Sequence, residues 1–425
     1  MIDPQAKPAP YIRLLVLVVV MGLISALVTF GFITLVHTST HLLWVQTAET
    51  MVVDQRLFTL AVCTIGGLLV GLLVKLFGDH SGIFAEVMRE FGKTGRFDYR
   101  NAPGIVITAF VSLISGGSLG PEAPLADACG GIGTFVSDRM GLDSRETRTM
   151  GYSGISGMLA SFITNPFGGA LLGLESAQGG SMTGLLGYFW ILFPALLSSA
   201  VSTVVFVLLS GTFFDTMYSF PAYIPKLADM LYAAPLGILG GMVGVLFMFL
   251  LKQLQGFFQR MKSQVVLRGL VGGLGMGIIG ALLPLTLFSG EAETSELILQ
   301  ATELGVVMLV VLGLAKLLAT SLLLATGWKG GYIFPIMFAS VALGLAVNLL
   351  FPSIPLAVTV AATMAGALVA ALKAPLFSAL FTLALVSKET ASVIAIAVVA
   401  SALLTALWAL WNARRVANQA EAAIN

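Results

Sequence analysis

The sequence predicts an all-α integral membrane protein, and two observations carry that prediction. Of its 425 residues, 57% are hydrophobic and only 10% are charged, and the mean hydropathy is +0.97, more apolar surface than a chain of this length can hide from water. The apolar residues run continuously, broken by glycine, and lack the short alternating segments of a membrane β-barrel. Helices satisfy their own backbone polar groups in lipid, whereas open sheets leave an unpaired edge.

The elements follow from that class. Residues 11–36, 57–77, 185–209, 233–251, 306–325 and 392–411 are each long enough to cross about 30 Å of hydrocarbon as helices. The first run is too long for the core of a signal peptide and lacks a small-residue cleavage site, so it is expected to be retained. Cys63 and Cys129 lie in apolar stretches and read as small buried hydrophobes. A net charge of +1 gives no reason to expect a nucleic-acid partner. Its distribution says more. The connections 89–100, 139–148 and 252–268 and the tail around Arg414 and Arg415 are basic, whereas Glu291, Glu293, Glu296 and Glu303 make an acidic segment. The positive-inside rule places the basic connections and the C-terminus in the cytoplasm. No connection is long enough for a soluble regulatory domain, so 1–425 reads as one transmembrane domain with approximate halves at 57–210 and 230–412.

Glycine numbers 47 and proline 16, many within apolar segments. Close helix packing explains most of these glycines, as in 66–71 and 237–244. Two places fit a discontinuous helix better. In the first, Ser115-Gly-Gly-Ser-Leu-Gly-Pro-Glu-Ala-Pro-Leu is followed about forty residues later by Asn165-Pro-Phe-Gly-Gly. In the second, Gly327-Trp-Lys-Gly-Gly-Tyr-Ile-Phe-Pro is followed at a similar distance by Lys373-Ala-Pro-Leu-Phe. A glycine-rich break, a small-residue helix and an X-Pro helix start thus occur once in each half, the pattern of an internal repeat with a substrate site near the midplane. Such breaks suit an anion, because helix N-termini offer partial positive charge and unpaired amides. Glu122 sits in one of them, where ionisation is costly unless amides or water solvate the carboxylate. A carboxylate can take an anion's place, and protonation lets it leave. The competing reading is a helix-capping glutamate at a membrane edge.

These segments resemble the CLC family of chloride channels and proton-coupled chloride antiporters, over about residues 80–390. Gly117-Ser-Leu-Gly-Pro-Glu-Ala-Pro is similar to the family's glycine–basic–glutamate–glycine–proline segment, with Glu122 at the external gating glutamate and Gly120, Pro121 and Ala123 beside it. Gly331-Tyr-Ile-Phe-Pro resembles the second anion-binding segment, which implies anion contacts from Gly331, Tyr332, Ile333 and Phe334. Asp79-His-Ser-Gly-Ile-Phe is similar to a third, placing Ser81 at the central anion-coordinating serine, with Gly82 and Ile83 following. The resemblance implies an inverted repeat of broken helices, a homodimer with one anion pathway per subunit in a bacterial inner membrane, bound chloride or a similar anion, and no other cofactor.

The departures bear on mechanism. Pro121 replaces a lysine or arginine, Ala123 a glycine, Phe84 a proline and Ile333 a phenylalanine. Ser176 stands where many antiporters carry an inner proton-transfer glutamate, and the adjacent Glu175 faces elsewhere on a helix. No tyrosine after Trp411 matches the one that closes the family's central site, and Tyr332 is a candidate substitute unless it is a packing residue with its hydroxyl satisfied locally. Lys316, inside an apolar helix, should find a carboxylate or a ring of carbonyls, and an ion pair is the favoured reading. His80 reads as a helix-end histidine ahead of a proton shuttle.

The expected function is transmembrane transport of chloride, with proton coupling through Glu122. The alternative is a passive channel for chloride or another anion, fluoride included. An intramembrane enzyme would need a serine–histidine pair or a metal constellation, and His37, His41 and His80 offer neither within the breaks. A cation or amino-acid carrier would call for acidic rings or a sodium site, for which only Glu122 and Glu175 are candidates.

Overall fold

The computed structural model describes residues 8–47, 54–80, 82–176, 187–211, 218, 220–221 and 223–424. Among them are sixteen α-helices and no strand. The first eight are α1 (Pro8–His41), α2 (Gln55–Phe77), α3 (Phe84–Thr94), α4 (Ala102–Ile114), α5 (Glu122–Met140), α6 (Ser144–Ile163), α7 (Pro166–Ser176) and α8 (Phe193–Ser210). The second eight are α9 (Leu227–Phe258), α10 (Val265–Leu282), α11 (Glu291–Leu299), α12 (Ala301–Ala325), α13 (Ile333–Leu350), α14 (Leu356–Leu372), α15 (Pro375–Leu385) and α16 (Ala391–Ile424).

The two sets share a plan. Each opens on a helix of more than thirty residues, 34 in α1 and 32 in α9, and each has an 11-residue seventh helix, α7 and α15. Packing repeats as well: α1 lies on α6 and α8 as α9 lies on α14 and α16, and α5 lies on α6 as α13 lies on α14. The sets meet where α2 packs on α10 and α7 on α15.

Helix starts show why the breaks matter. Asp54 caps α2, its Oδ1 accepting the Arg56 and Leu57 amides at 2.8 and 3.4 Å. Asp143 and Glu146 form a capping box at α6. Pro166 and Pro375 open α7 and α15, where a missing N–H costs nothing. Helices α5 and α13, which follow the two glycine-rich breaks, have no side-chain cap from the residue before them. Their first amides are therefore available to something else.

Eight helices among the described residues are long and apolar enough to span a membrane, including the six expected and, in addition, Val265–Leu282 and Ile333–Leu350. Residues 185 and 186 of the expected third run lie outside the described residues. Large apolar side chains on the outer faces are bare, with Leu208, Leu231 and Val307 each 78% exposed, as a lipid-facing surface requires.

The glycine stripes hold helices in backbone contact. A Cβ at Gly67 would lie 2.5 Å from the Gly269 carbonyl oxygen, one at Gly273 would lie 2.3 Å from that of Cys63, and one at Gly240 would lie 2.0 Å from that of Thr363. Gly31 on α1 has no atom within 4 Å of that point. Gly240→Ala is thus expected to destabilise by about 1–3 kcal/mol through overpacking, and Gly31→Ala to be neutral or stabilising. Thermal melts of the two purified variants in one detergent check this, and equal melting temperatures would count against it.

Candidate functional site

The two breaks meet in space. Gly120 and Gly331 pair as an isolated antiparallel bridge, Gly120 N–H to Gly331 O at 2.9 Å and Gly331 N–H to Gly120 O at 2.6 Å. Thr320 on α12 donates to the Ser118 carbonyl at 2.9 Å, and the Lys329 amide donates to Ser112 Oγ at 3.2 Å. These bonds satisfy backbone that no helix satisfies and fix the N-termini of α5 and α13 beside each other.

Glu122, the first residue of α5, is fully buried. Its side chain crosses between the halves, and Oε1 accepts the Ile333 amide hydrogen at 2.7 Å. Oε2 is buried without a hydrogen-bond partner. Glu122 therefore does cap a helix, but the helix is α13 of the other half. The two bridging glycines make room for it: a Cβ at Gly331 would lie 2.0 Å from Glu122 Cδ, and one at Gly120 would lie 1.9 Å from Oε2. Pro121 and Ala123 are buried beside the carboxylate, so neither of them brings a cation there.

Aromatic rings wall the site. The Phe334 ring stands edge-on to Phe162 at 5.0 Å and to Phe381 at 5.9 Å, and Tyr332 lies 5.1 Å from Phe247. The Tyr332 hydroxyl is buried with no hydrogen-bond partner. That departs from the packing reading, in which the hydroxyl is satisfied locally.

Two cavities border this region, named outer and inner after the orientation that the acidic and basic connections predict. The outer one, about 310 Å³, is bordered by Pro121, Phe162, Glu291, Glu293, His37 and His41. The inner one, about 340 Å³, is bordered by Gly82, Ile83, Asp79, Lys262, Arg268 and Lys329. Ser81 lies outside the described residues, while Gly82 and Ile83 lead into α3 at the inner cavity. His80 follows the end of α2, its Nε2 3.0 Å from the Phe77 carbonyl oxygen.

The sequence reading missed the charge cluster at this inner mouth. The Asp79 carboxylate bridges Arg268 Nη2 at 2.5 Å and Lys329 Nζ at 3.4 Å, and Lys329 also donates to the His80 carbonyl. Arg268 and Lys329 are both buried. Burial alone would push the Asp79 carboxyl up, but Lys329 and Arg268 outweigh it and hold it below the usual carboxylate range. A lysine inside a glycine-rich break was the available signal.

Lys316 is a correction to the ion-pair reading. Its Nζ donates to three carbonyls, Thr286 at 3.1 Å, Leu287 at 2.9 Å and Phe288 at 2.9 Å, and lies 5.0 Å from the Phe338 ring centre. The ring of carbonyls wins because the 286–288 turn ends a helix and must place its oxygens somewhere. Glu175 caps α15, its two oxygens accepting the Leu376 and Phe377 amides at 2.7 and 2.8 Å. Ser176 is the last residue of α7, and its side chain lies outside the described residues.

Two matching sets of helices, each with a glycine-rich break brought to a shared buried centre, define a multi-pass membrane protein of the broken-helix transport type. Residues 66–407 match the family model described as voltage gated chloride channel, and the chain belongs to this CLC family of anion-transport proteins. Among its relatives is YfeO of Escherichia coli O7:K1 (strain IAI39 / ExPEC), itself assigned to ion transport only provisionally, 26% identical over 366 residues that cover 84% of each chain. A slow cyanobacterial Cl⁻/H⁺ antiporter superposes with a TM-score of 0.82 at 21% identity, over 98% of this chain and all of the other. A CLC-type fluoride/proton antiporter superposes at 0.76 with 17% identity, over 94% of this chain and 97% of that one. These likenesses establish the fold as the CLC inverted repeat of broken helices.

Lys316→Met removes the donor to three carbonyls at once, and each unpaired group costs about 1–3 kcal/mol. The variant is expected to lose stability, seen as a clear fall in the melting temperature of purified protein; an unchanged melt would refute a structural role for the ammonium.

Proposed function

We propose that this protein carries chloride or a closely related small anion across the membrane and couples that movement to protons through Glu122. The observation that carries the reading is the Glu122 carboxylate seated on the Ile333 amide, between the two breaks. An amide at a helix N-terminus that holds a carboxylate oxygen can hold a halide in its place. The site is closed when the carboxylate is bound and open when a proton neutralises it, so one proton is taken up as an anion gains the site. Gly120, Pro121 and Ala123 line the carboxylate; the anion's contacts come from Ile333 and Phe334 at the start of α13 and from Tyr332 just before it, while Gly331, whose N–H is held by Gly120, keeps the space clear. Gly82 and Ile83 border the inner entrance.

The basic connections support a cytoplasmic C-terminus and inner cavity in a bacterial inner membrane, with Arg268, Lys262 and Lys329 drawing anions to that mouth. Phe167 on α7 and Leu376 on α15, 61% and 56% exposed, give corresponding helices of the two halves an outward apolar surface, in keeping with a homodimer.

Proteoliposomes loaded with chloride, with chloride efflux and external pH recorded together, test the reading. Wild type is expected to take up protons as chloride leaves, and Glu122→Gln to lose proton movement by at least about tenfold while keeping chloride flux. Chloride flux without proton movement in the wild type would make the protein a passive channel. No chloride flux, with fluoride flux in its place, would move the substrate to fluoride.

A further inference from the structure

Proton coupling needs a path from Glu122 to the inner solution, and Ser176 offers no carboxylate for it. Helix α5 carries a second acid, Asp127, five residues after Glu122. Its Oδ2 is buried and has no hydrogen-bond partner. A structural carboxylate in a membrane protein is expected to hold donors, as Glu175 does with two amides, because burial of an unsatisfied acid is costly.

Asp127 also borders a cavity of its own. This cavity, about 110 Å³, is lined by Glu90, Arg96, Asp98 and Asn101 on the side of the 89–100 connection, with His80 at one edge. It has room for about three waters at about 30 Å³ each. Arg96 is committed to Asp138 at 2.5 Å, and Asp98 accepts from Asn101 at 2.7 Å. The charges that act on Asp127 are Glu90, Asp98 and Lys329. Among the described residues only His80 borders both this cavity and the basic inner mouth, where Lys329 is held by Asp79 and the His80 carbonyl. The basic cavity sets Lys262, Arg268 and Lys329 against Asp79 and Glu86, and the acidic one sets Glu90, Asp98 and Asp127 against Arg96. An anion is favoured in the first and repelled from the second, and a proton the reverse.

We propose that Asp127 is the inner proton-transfer carboxylate, loading from water in the acidic cavity and exchanging protons with Glu122 by a route separate from the anion's. The inference rests on the coupled reading above. In the step, a hydronium ion in the cavity gives its proton to the Asp127 carboxylate and becomes water. Neutral Asp127 then gives that proton to the Glu122 carboxylate and returns to its charged form, and neutral Glu122 leaves the Ile333 amide. Five residues of helix separate the two acids by about 7.5 Å along the axis and about 140° around it. Transfer therefore runs through transient water and not by direct contact.

The experiment is paired chloride and proton flux from proteoliposomes of the full chain, for wild type, Asp127→Asn and Asp127→Glu. The expected result is a proton-to-chloride flux ratio reduced at least tenfold in Asp127→Asn and kept in Asp127→Glu, with chloride still moving in Asp127→Asn, at a reduced rate, because Glu122 can also take its proton from the outer cavity. A merely structural Asp127 would lower both fluxes together and leave their ratio unchanged, and an unchanged proton-to-chloride ratio in Asp127→Asn overturns the assignment. If Asp127→Asn does not reconstitute, Asp127→Ser, which adds no bulk and leaves room for water, is read by the same ratio. Wild type that moves chloride without protons would overturn the coupled reading and this inference with it, an outcome distinct from coupled wild type with coupled Asp127→Asn.

Discussion

The structure depends on a helix start that nothing local satisfies. Helix α13 begins inside the apolar body with no cap from its own preceding residue, and an amide left bare there would cost several kcal/mol. The 2.7 Å bond from Ile333 to Glu122 fills that need, using a side chain 211 residues away in the other half. Because the cap is a carboxylate, and because its second oxygen has no partner, the proposed function makes it the replaceable one. A backbone hydrogen bond or a serine hydroxyl would have closed the same helix permanently. The rest follows from keeping that position open: paired glycines at 120 and 331 admit the carboxylate, the bridge between them fixes the two breaks, and aromatic rings exclude water around them.

Glu175 shows what the same device does when no exchange is needed. It also reaches from the first half to the first turn of a helix in the second, and it also accepts from the backbone. The difference is that both its oxygens are used, on Leu376 and Phe377. Glu122 and Glu175 thus tie α5 to α13 and α7 to α15, each acid reaching the start of its own helix's counterpart, the first through one oxygen and the second through two. Two engaged oxygens make Glu175 a strut, and the single one engaged at Glu122 is what the proposed gate requires.

Much of this was legible in the sequence because it rests on residue types that have few other uses. Six long apolar runs announce spanning helices, and glycine-rich breaks ending in proline announce discontinuous ones. Helix α10 was overlooked because its glycines and Arg268 lower its apolar character, although those glycines let it pack against α2. Helix α13 is expected as the small-residue helix after the second break but not as a span of its own, because its first turn, 333–335, lies within that break. The carbonyl ring around Lys316 could not be read, since carbonyls carry no residue identity. Nor could the pairing of Asp79 with Arg268 and Lys329, whose separations of 189 and 250 residues leave no local trace. Asp127 is hidden in the sequence for a related reason: an acid within a small-residue helix reads as a solvated face until its neighbours are known.

The placement of charge bears on how an anion protein can do without a cation at its centre. Pro121 and Ala123 bring no lysine or arginine to Glu122, and in the proposed function the central contacts come from helix amides, which attract an anion but carry only about half a charge per terminus. Among the described residues the buried cations stand away from Glu122: Lys316 is spent on the 286–288 carbonyls, and Arg268 and Lys329 lie at the inner mouth, where Asp79 offsets one of them. A buried lysine or arginine beside Ile333 would bind an anion more strongly, but it would hold Glu122 just as strongly, and a gate that cannot release does not exchange. Weak partial charges at the centre and partly offset full charges at the mouth raise the local anion concentration without deepening the central site. Conduction and exchange both require that balance, because a bound ion must leave as readily as it enters.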